Sequence, residues 1–301
     1  MHYTGTIWRP PYEAQSLLLE VTAGCTHHKC KFCTLYDDLP FQFRMTPMED
    51  IEADLLEAQT FYRGPWQKHG GVKRVFLAGA NPFVLAFEHL RKIAERIHAY
   101  FPECETIGCF SRVTDIAGKT DAELAELHRL GYEGISIGVE TGDDAVLQFM
   151  HKGYHAEDIV TQTARLDTAG ISYGYLLLTG LAGKGRGAAS AKQSVAFLNR
   201  THPKLVGSSM LTLYPNSELY REMQAGRWAE ESELEKYTEL KTLVEHLTIP
   251  TFFTTPGASN AVYLEGRLPQ DRARLLNALE QLCQPENEAA LRNYRTHLKH
   301  L

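Results

Sequence analysis

Short apolar runs alternate along this 301-residue chain with longer segments in which apolar residues recur every three or four positions. A short, nearly continuous apolar run predicts a strand buried on both faces, and the wider spacing predicts an amphipathic helix. Strands that alternate with helices are joined by right-handed crossovers, so the pattern predicts a parallel sheet. Six predicted strands precede residue 220, at residues 16–21, 75–78, 106–110, 134–139, 171–178 and 205–213.

Helices are predicted between these strands, and two of them carry start signals. Thr46 is followed by Pro47, which fits a first helical turn, and by Glu49, which can reach back to the cap. Thr120 and Glu123 form the same kind of capping pair. The predicted helices cover residues 46–58, 82–100, 143–150, 155–169 and 188–199, and one more begins at residue 120.

The number of strand–helix units favours one fold class. Six units suit a partial (βα)6 TIM-type barrel, in which chemistry lies at the carboxyl ends of the strands. A doubly wound open sheet is the alternative, because a local pattern does not decide whether a sheet closes. We expect residues 1–220 to form this barrel, including an N-terminal extended segment at residues 6–11.

After residue 220 the pattern changes. Helices are predicted at residues 232–247, 270–283 and 287–301, and a Thr/Pro-rich extended stretch lies at residues 249–257. We therefore expect residues 221–301 to form a helical cover packed on the barrel.

Composition narrows the class of protein. A hydrophobic fraction of 44% and a charged fraction of 23% are those of an ordinary globular chain. A membrane span is not expected, because no apolar run reaches the required length. The net charge of −6 argues against a broad nucleic-acid surface, so a nucleic-acid-binding module is a poor alternative. The first residues lack the layout of a secretory signal, and we expect a cytoplasmic protein.

The main candidate for chemistry is a cysteine-rich loop directly after the first predicted strand. It contains Cys25, Cys30 and Cys33, separated by four and then two residues. A structural zinc site takes four ligands, whereas compact cysteine runs hold iron–sulfur clusters. Three cysteines would leave one iron of a four-iron cluster open. The alternative is a zinc site that recruits His27 or His28 as its fourth ligand.

This loop, in its place after the first strand, resembles that of the radical SAM superfamily. The resemblance implies that Cys25, Cys30 and Cys33 hold a [4Fe-4S] cluster, whose open iron binds the amino and carboxylate groups of S-adenosylmethionine. It also implies that Phe32 lies near the adenine. The family's commonest spacing has three residues between the first two cysteines, and this chain has four.

The resemblance assigns further cofactor contacts to the ends of the second and third strands. Gly79, Ala80 and Asn81 stand where the family has a Gly-Gly-Glu-like turn that binds the methionine ammonium, with Asn81 in place of the acidic residue. The alternative is that Asn81 only caps a helix that begins at Pro82. Ser111 or Arg112 would hold the methionine carboxylate, unless Arg112 is a loop residue in a surface ion pair.

Two later strand ends complete the predicted site. The stretch from Gly138 to Gly142 resembles a Gly-x-Glu-Ser/Thr-Gly segment of the branch that includes the oxygen-independent coproporphyrinogen oxidase and Elongator-type enzymes. It implies that Glu140 binds the ribose hydroxyls. Thr141 could instead cap the next helix, with Asp144 three residues later. Gly180 and Leu181 would contact the adenine, with a plain turn as the alternative.

The implied activity is reductive cleavage of S-adenosylmethionine to a 5′-deoxyadenosyl radical that acts on an unidentified substrate. The implied electron donor is of the ferredoxin or flavodoxin type. Alternatives are a coproporphyrinogen oxidase-like enzyme and a non-catalytic zinc or iron–sulfur protein. The other cysteines, Cys104, Cys109 and Cys283, are read as ordinary thiols.

Overall fold

The strands form an α/β fold around a mostly parallel sheet, in a computed structural model that describes residues 1–62 and 71–298. All six predicted strands are present, and the α/β class is confirmed. The described sheet has the order β1-β4-β5-β6-β7-β8-β9-β10. Its strands are β1 (Leu17–Glu20), β4 (Arg74–Ala78), β5 (Thr106–Ser111), β6 (Ile135–Glu140), β7 (Tyr173–Thr179), β8 (Leu205–Met210), β9 (Thr251–Thr254) and β10 (Glu265–Leu268).

The central strands are buried on both faces, as their unbroken apolar sequence predicts. Consecutive strand residues point to opposite faces of a sheet, yet Phe76 and Leu77 in β4 are both fully buried. Parallel pairing places Phe76 opposite Leu18 of β1, and Leu77 opposite Cys109 of β5. Both faces of these strands are therefore covered, which is why their residues do not alternate between apolar and polar.

The predicted helices are also present, with bounds that differ by a few residues. The capping boxes of Thr120 with Glu123 and of Ser232 with Glu235 are both formed. The helices are α1 (Met48–Tyr62), α2 (Phe87–Tyr100), α3 (Val113–Ala117), α4 (Asp121–Arg129), α5 (Asp144–Phe149), α6 (Ala156–Ala169), α7 (Gly187–Leu198), α8 (Glu218–Gln224), α9 (Glu233–His246), α10 (Arg272–Leu282) and α11 (Glu288–Thr296).

Two capping alternatives are wrong. Pro82–Val84 is a short 3₁₀ turn, α2 begins only at Phe87, and the Asn81 side chain makes no capping hydrogen bond. Proline fixes one turn, but Leu85 then takes an extended conformation that interrupts the helix. The cap of α5 is Asp143 rather than Thr141, because the Asp143 carboxylate accepts from the first turn of the helix.

The tail contributes strands as well as helices. The predicted extended stretch contains β9, which pairs parallel with β8, and β10 pairs antiparallel with β9. The predicted helix over residues 287–301 is observed as α11, which ends at Thr296, and residues 299–301 lie outside the described residues.

Two strands outside this sheet frame the cysteine loop. They are β2 (Thr22–Gly24) and β3 (Phe43–Met45), which pair antiparallel, with Ala23 opposite Arg44. The sequence analysis did not predict them, because each is only three residues long. They hold the two ends of the intervening chain together.

The chain divides into two compact units. The first unit comprises Met1–His28, Leu35–Ile137 and Arg165–Tyr173, and the second comprises Lys29–Thr34, Gly138–Ala164 and Gly174–Leu301. The boundary at residue 220 stays a prediction. None of the helices within residues 1–62 and 71–298 is long and apolar enough to cross a membrane.

Candidate functional site

In the first unit, the cysteine loop begins at a backbone position that requires glycine. Gly24 has a φ of +79°, and a Cβ there would lie 2.2 Å from the carbonyl oxygen of Gln42. The next residue, Cys25, donates its backbone N–H to that oxygen at 2.9 Å. The first predicted ligand is therefore held directly on the β2–β3 pair.

One of the two candidate histidines of the zinc alternative, His28, has a partner in the same unit. His28 Nε2 lies 2.9 Å from Asp37 Oδ1, and the His28 backbone N–H lies 3.5 Å from Cys25 Sγ. A ring nitrogen that is hydrogen-bonded to a carboxylate cannot bind a metal at the same time. This contact favours a cluster held by cysteines alone over a site that recruits His28 through Nε2.

The second unit holds the other part of the loop through Lys31. The Lys31 backbone N–H donates to the Met150 carbonyl at 3.3 Å, and its carbonyl accepts from Leu219 at 2.7 Å. The buried Lys31 ammonium lies 2.9 Å from Glu222 Oε1. Hydrogen bonds from Arg227 and then Lys31 lower the pKa of Glu222 to about 2. Backbone and side chain thus fix the stretch between Cys30 and Cys33.

The three loop cysteines have the chemistry that thiolate ligation needs. None of them forms a disulfide, and all are partly exposed. Within residues 1–62 and 71–298, no group of three Cys, His, Asp or Glu side chains lies in metal-binding geometry. By contrast, Cys104 and Cys109 are buried, and burial raises the pKa of both thiols, which disfavours the thiolate. The donor set thus fits an iron–sulfur cluster by composition.

The end of β4 places a polar acceptor in the interior of the first unit. Asn81 is fully buried, and its amide nitrogen donates to Thr26 Oγ1 at 2.9 Å and to Asp115 Oδ2 at 3.1 Å. Its Oδ1 has no hydrogen-bond partner among the described residues, and neither does the buried Oγ1 of Thr22. Buried oxygens without a donor are costly, so this arrangement fits a ligand that brings its own donors.

Glycine is required beside these oxygens. Gly79 has a φ of +138°, and a Cβ there would lie 2.0 Å from Thr22 Oγ1. The backbone of residues 79–81 therefore passes directly over the Thr22 hydroxyl, which only glycine permits. Ala80 continues this turn.

Sequence analysis missed Asp115, the third residue of α3. Its carboxylate is buried, accepts from Asn81, and also accepts from the Arg112 backbone N–H at 2.8 Å. Burial raises the pKa of Asp115, and the hydrogen bonds from Arg112 and Asn81 oppose that rise. Asp115 thus places an acidic group directly behind Asn81. The only signal in the sequence is its place shortly after the third strand.

The two residues predicted to bind the methionine carboxylate have local partners. The Arg112 guanidinium donates to Thr114 Oγ1 at 3.0 Å, and Ser111 Oγ donates to the Arg112 carbonyl at 2.9 Å. Ser111 is buried at the end of β5, whereas Arg112 is the residue before α3.

In the second unit, the structure brings Glu140 together with a lysine that the sequence analysis missed. Lys152 Nζ lies 3.0 Å from Glu140 Oε1 and 3.2 Å from the Gly138 carbonyl oxygen. The same ammonium lies 5.9 Å from the centre of the Phe32 ring. Lys152 is buried, and Glu140 has an unusual φ of +64° that directs its side chain to this contact. The buried ammonium therefore fixes the predicted ribose ligand.

Thr141 and Gly142 have a packing role next to Glu140. Thr141 Oγ1 lies 3.1 Å from Ser190 Oγ and 3.2 Å from Ser194 Oγ, both on α7. Gly142 packs so closely on α7 that a Cβ would lie 2.4 Å from the Phe197 ring. These contacts attach the end of β6 to α7.

The loop after β7 is fixed by contacts from the tail. The Gly180 N–H donates to Glu239 Oε2 at 2.8 Å, and the Leu181 carbonyl accepts from the Trp228 indole at 3.2 Å. Leu181 belongs to a buried apolar cluster against which Phe32 also packs. Two residues predicted to contact the adenine therefore meet on one apolar surface within the second unit.

Comparison with known proteins identifies the family. Residues 19–187, more than half of the chain, match the Radical SAM superfamily. The chain belongs to this superfamily. The membership confirms the predicted family, the predicted enzyme class, and the predicted cofactors, a [4Fe-4S] cluster and S-adenosylmethionine.

Several solved structures share the fold. The radical S-adenosylmethionine methyltransferase TsrM from Kitasatospora setae has a TM-score of 0.55 at 17% identity, over 70% of this chain and 37% of that chain. Coproporphyrinogen III oxidase (HemN) from Escherichia coli has a TM-score of 0.58 at 18% identity, over 77% and 52%. Methylornithine synthase (PylB) has a TM-score of 0.54 at 15% identity, over 93% and 85%.

These similarities concern the fold. The chain spans 37% of the length of TsrM and 52% of that of HemN. A search among curated proteins gave no match. The assignment to the coproporphyrinogen oxidase and Elongator-type branch stays a prediction, as do the individual cofactor contacts.

Proposed function

We propose that this radical SAM enzyme binds a [4Fe-4S] cluster through Cys25, Cys30 and Cys33 and reductively cleaves S-adenosylmethionine to act on an unidentified substrate. The observation that carries the proposal is the buried Asn81 Oδ1, which follows β4 and has no donor among the described residues. When bound, the two cofactors supply a 5′-deoxyadenosyl radical that removes a hydrogen atom from the substrate. The protein supplies binding, orientation and exclusion of water.

The methionine ammonium is assigned to the first unit. Asn81 Oδ1 and Thr22 Oγ1 are two acceptors without a donor among the described residues, and an amino group whose nitrogen binds iron still carries two N–H donors. Asp115 adds a buried negative charge one hydrogen bond away. An amide oxygen backed by a carboxylate can replace the acidic residue that the family usually has here, because the charge still lies close to the ammonium. Ser111 and Arg112 are proposed to face the carboxylate.

The ribose is assigned to Glu140. A carboxylate can accept two hydroxyl hydrogen bonds, and Lys152 occupies only one of the Glu140 oxygens in the described contacts. Lys152 therefore orients the carboxylate and leaves acceptor capacity for the sugar. This role depends on a charged pair that is almost removed from water.

The adenine is assigned to Phe32, Gly180 and Leu181. Phe32 and Leu181 pack against the same apolar cluster, and a flat apolar surface suits a purine ring. The turn at Gly180 keeps backbone groups close to this surface, since Gly180 has a φ of +93°.

The proposed partners follow from the chemistry. The cluster requires one electron at a time, which a ferredoxin or flavodoxin type donor supplies. An electron donor of either type, and cysteines kept as free thiols for the cluster, are compatible with the cytoplasm.

The test begins with anaerobic reconstitution with iron and sulfide. We expect an electron paramagnetic resonance signal of a reduced [4Fe-4S] cluster that changes when S-adenosylmethionine is added, followed by formation of 5′-deoxyadenosine. Cys30→Ala is expected to abolish the signal, and Cys283→Ala, which removes a partly exposed cysteine of the tail, is the matched control. Stoichiometric zinc in place of iron, or a signal indifferent to S-adenosylmethionine, would contradict the proposal.

A further inference from the structure

The loop between β7 and α7 is held at two points by carboxylates of α9. The Gly180 N–H donates to Glu239 Oε2 at 2.8 Å, and the Gly185 N–H donates to Glu235 Oε1 at 2.8 Å. Gly180 and Gly185 both have positive φ values, +93° and +75°. Such backbone is not stabilised by a regular hydrogen-bond ladder, so its conformation depends on these side chains.

Glu239 does not act alone. Glu231 is a second buried carboxyl group, close enough for the two charges to repel each other. Both Glu231 oxygens are buried and have no hydrogen-bond partner among the described residues, which disfavours the ionised form. Glu231 is 1% exposed, and a Cβ on Gly187 would lie 2.6 Å from its Oε1. Gly187 is the first residue of α7, so the carboxyl pair touches both ends of the loop.

Burial and the surrounding charges both favour a proton on the pair of Glu231 and Glu239. Burial, followed by repulsion from Glu235, raises the pKa of Glu231 to about 7. Burial, followed by repulsion from Glu231, raises the pKa of Glu239 well above its usual range. Lys236 opposes both shifts, but its ammonium is itself bound by Glu230 and Glu233. Arg292 and Arg295 in turn pair with those two carboxylates.

The pair also lies close to the predicted ribose ligand. Glu239 and Glu140 line one small cavity in the second unit, together with the hydroxyl groups of Thr179, Ser194 and Ser208. Thr179 and Ser208 are joined to each other at 2.7 Å. A change at Glu239 therefore reaches both the Gly180 turn and the surroundings of Glu140.

We propose that Glu239 is the positioning residue that holds the Gly180–Leu181 turn in the conformation that binds the adenosyl end of S-adenosylmethionine. This inference rests on the proposed function, which assigns the adenine to that turn. While Glu231 is protonated, Glu239 keeps its 2.8 Å contact with the Gly180 N–H. With both groups ionised, the two carboxylates repel each other and the turn is released.

The first test measures the affinity of the reconstituted protein for S-adenosylmethionine below and above pH 7. Wild-type affinity should fall as the pH rises through about 7, because Glu231 then loses its proton. Glu239→Gln keeps an acceptor for Gly180 and adds a donor for Glu231, so its affinity should stay near wild type and vary less with pH. Glu239→Leu should lose roughly tenfold or more at every pH.

The control is Glu280→Gln, which removes an exposed carboxylate that pairs with Lys241 of α9. It should follow the wild-type pH profile. A Glu239→Gln profile identical to that of wild type would overturn the role of repulsion between the two carboxyl groups. Wild-type affinity in Glu239→Leu would overturn the positioning role.

A second readout does not use the cofactor. Hydrogen exchange of the Gly180 amide in the protein without S-adenosylmethionine should be faster in Glu239→Leu than in wild type or Glu239→Gln. Faster exchange with unchanged affinity would overturn the link between this turn and the cofactor. If the wild-type protein bound no S-adenosylmethionine at all while the exchange difference persisted, the proposed function would fail and the anchoring contact would stand.

Discussion

Asn81 donates its side-chain amide to the buried carboxylate of Asp115, and its own oxygen faces no donor among the described residues. The hydrogen bond fixes the orientation of the amide, because the nitrogen must face the acceptors. An oriented acceptor, backed by a negative charge, is suited to an ammonium group. This relationship gives the first prediction.

Asn81→Leu should weaken the binding of S-adenosylmethionine by about 1.5–3 kcal/mol, the range for a hydrogen bond to a charged group. Iron and sulfide content should stay at the wild-type level, since no cysteine changes. Calorimetric titration of the reconstituted protein measures the affinity. Asn293→Ala, at an exposed position of α11, is the control. Equal affinities in the two variants would remove Asn81 from the site.

Lys152→Met should destabilise the fold by about 3 kcal/mol or more, because it leaves the Glu140 carboxylate without its buried partner. Adding Glu140→Gln should recover much of this loss, because the unpaired charge is then removed. Urea unfolding of the wild-type chain, both single variants and the double variant gives the coupling energy. Strictly additive effects would show that the two side chains do not depend on each other.

Lys31→Met should shorten the lifetime of the cluster although every cysteine is retained. The Lys31 ammonium is bound to Glu222, and it also lies 4.4 Å from the centre of the Phe149 ring. Losing both contacts should loosen the stretch between Cys30 and Cys33, so that iron is lost severalfold faster to a chelator under anaerobic conditions. The control is Lys29→Met, which alters an exposed lysine of the same loop. The same rate of iron loss in both variants would show that Lys31 does not hold the stretch between Cys30 and Cys33.

Folding stability should fall as the pH rises from about 4.5 to about 7. Glu231 has its pKa raised to about 7 in the folded chain, so between these values the folded state binds more protons than the unfolded state. The excess lowers the unfolding free energy by up to about 1.4 kcal/mol per pH unit for one proton. Stability from this group is complete below pH 4.5 and is lost as the pH passes 7.

Denaturant unfolding across this pH range, on the protein without cofactors, tests the prediction. Glu231→Gln removes this titrating group and should make the curve less steep. Glu157→Gln, which changes an exposed carboxylate paired with Arg200, should retain the slope of the wild-type protein. A wild-type slope in Glu231→Gln would assign the pH dependence to other residues.

The strands and most helices could be predicted because their signals are local. A strand covered on both faces is apolar at consecutive positions, and Thr120 with Glu123 forms its cap within one helical turn. The two wrong predictions of helix caps have the same cause. Whether Asn81 or Thr141 caps a helix depends on the conformation several residues later, which short patterns do not determine.

The polar interior of the site could be predicted only in part. The glycines and Asn81 stand at strand ends, where the family comparison draws attention to them. Asp115, Lys152 and Glu239 lie within or beside helices, where a charged residue is usually read as an exposed position. Their burial comes from side chains that are distant in sequence, such as the contact between Glu239 and Gly180 across 59 positions.

The parallel pairing of β9 with β8 bears on how far the chain can be shortened. Ending the chain near residue 220, where the sequence pattern changes, would strip β8 of its neighbour and leave a row of unpaired N–H and C=O groups at Leu205 to Gly207. Unpaired strand edges of this kind pair with strands of other molecules and promote aggregation. The family match ends at residue 187, yet a shortened chain that does not aggregate has to include the tail through β10.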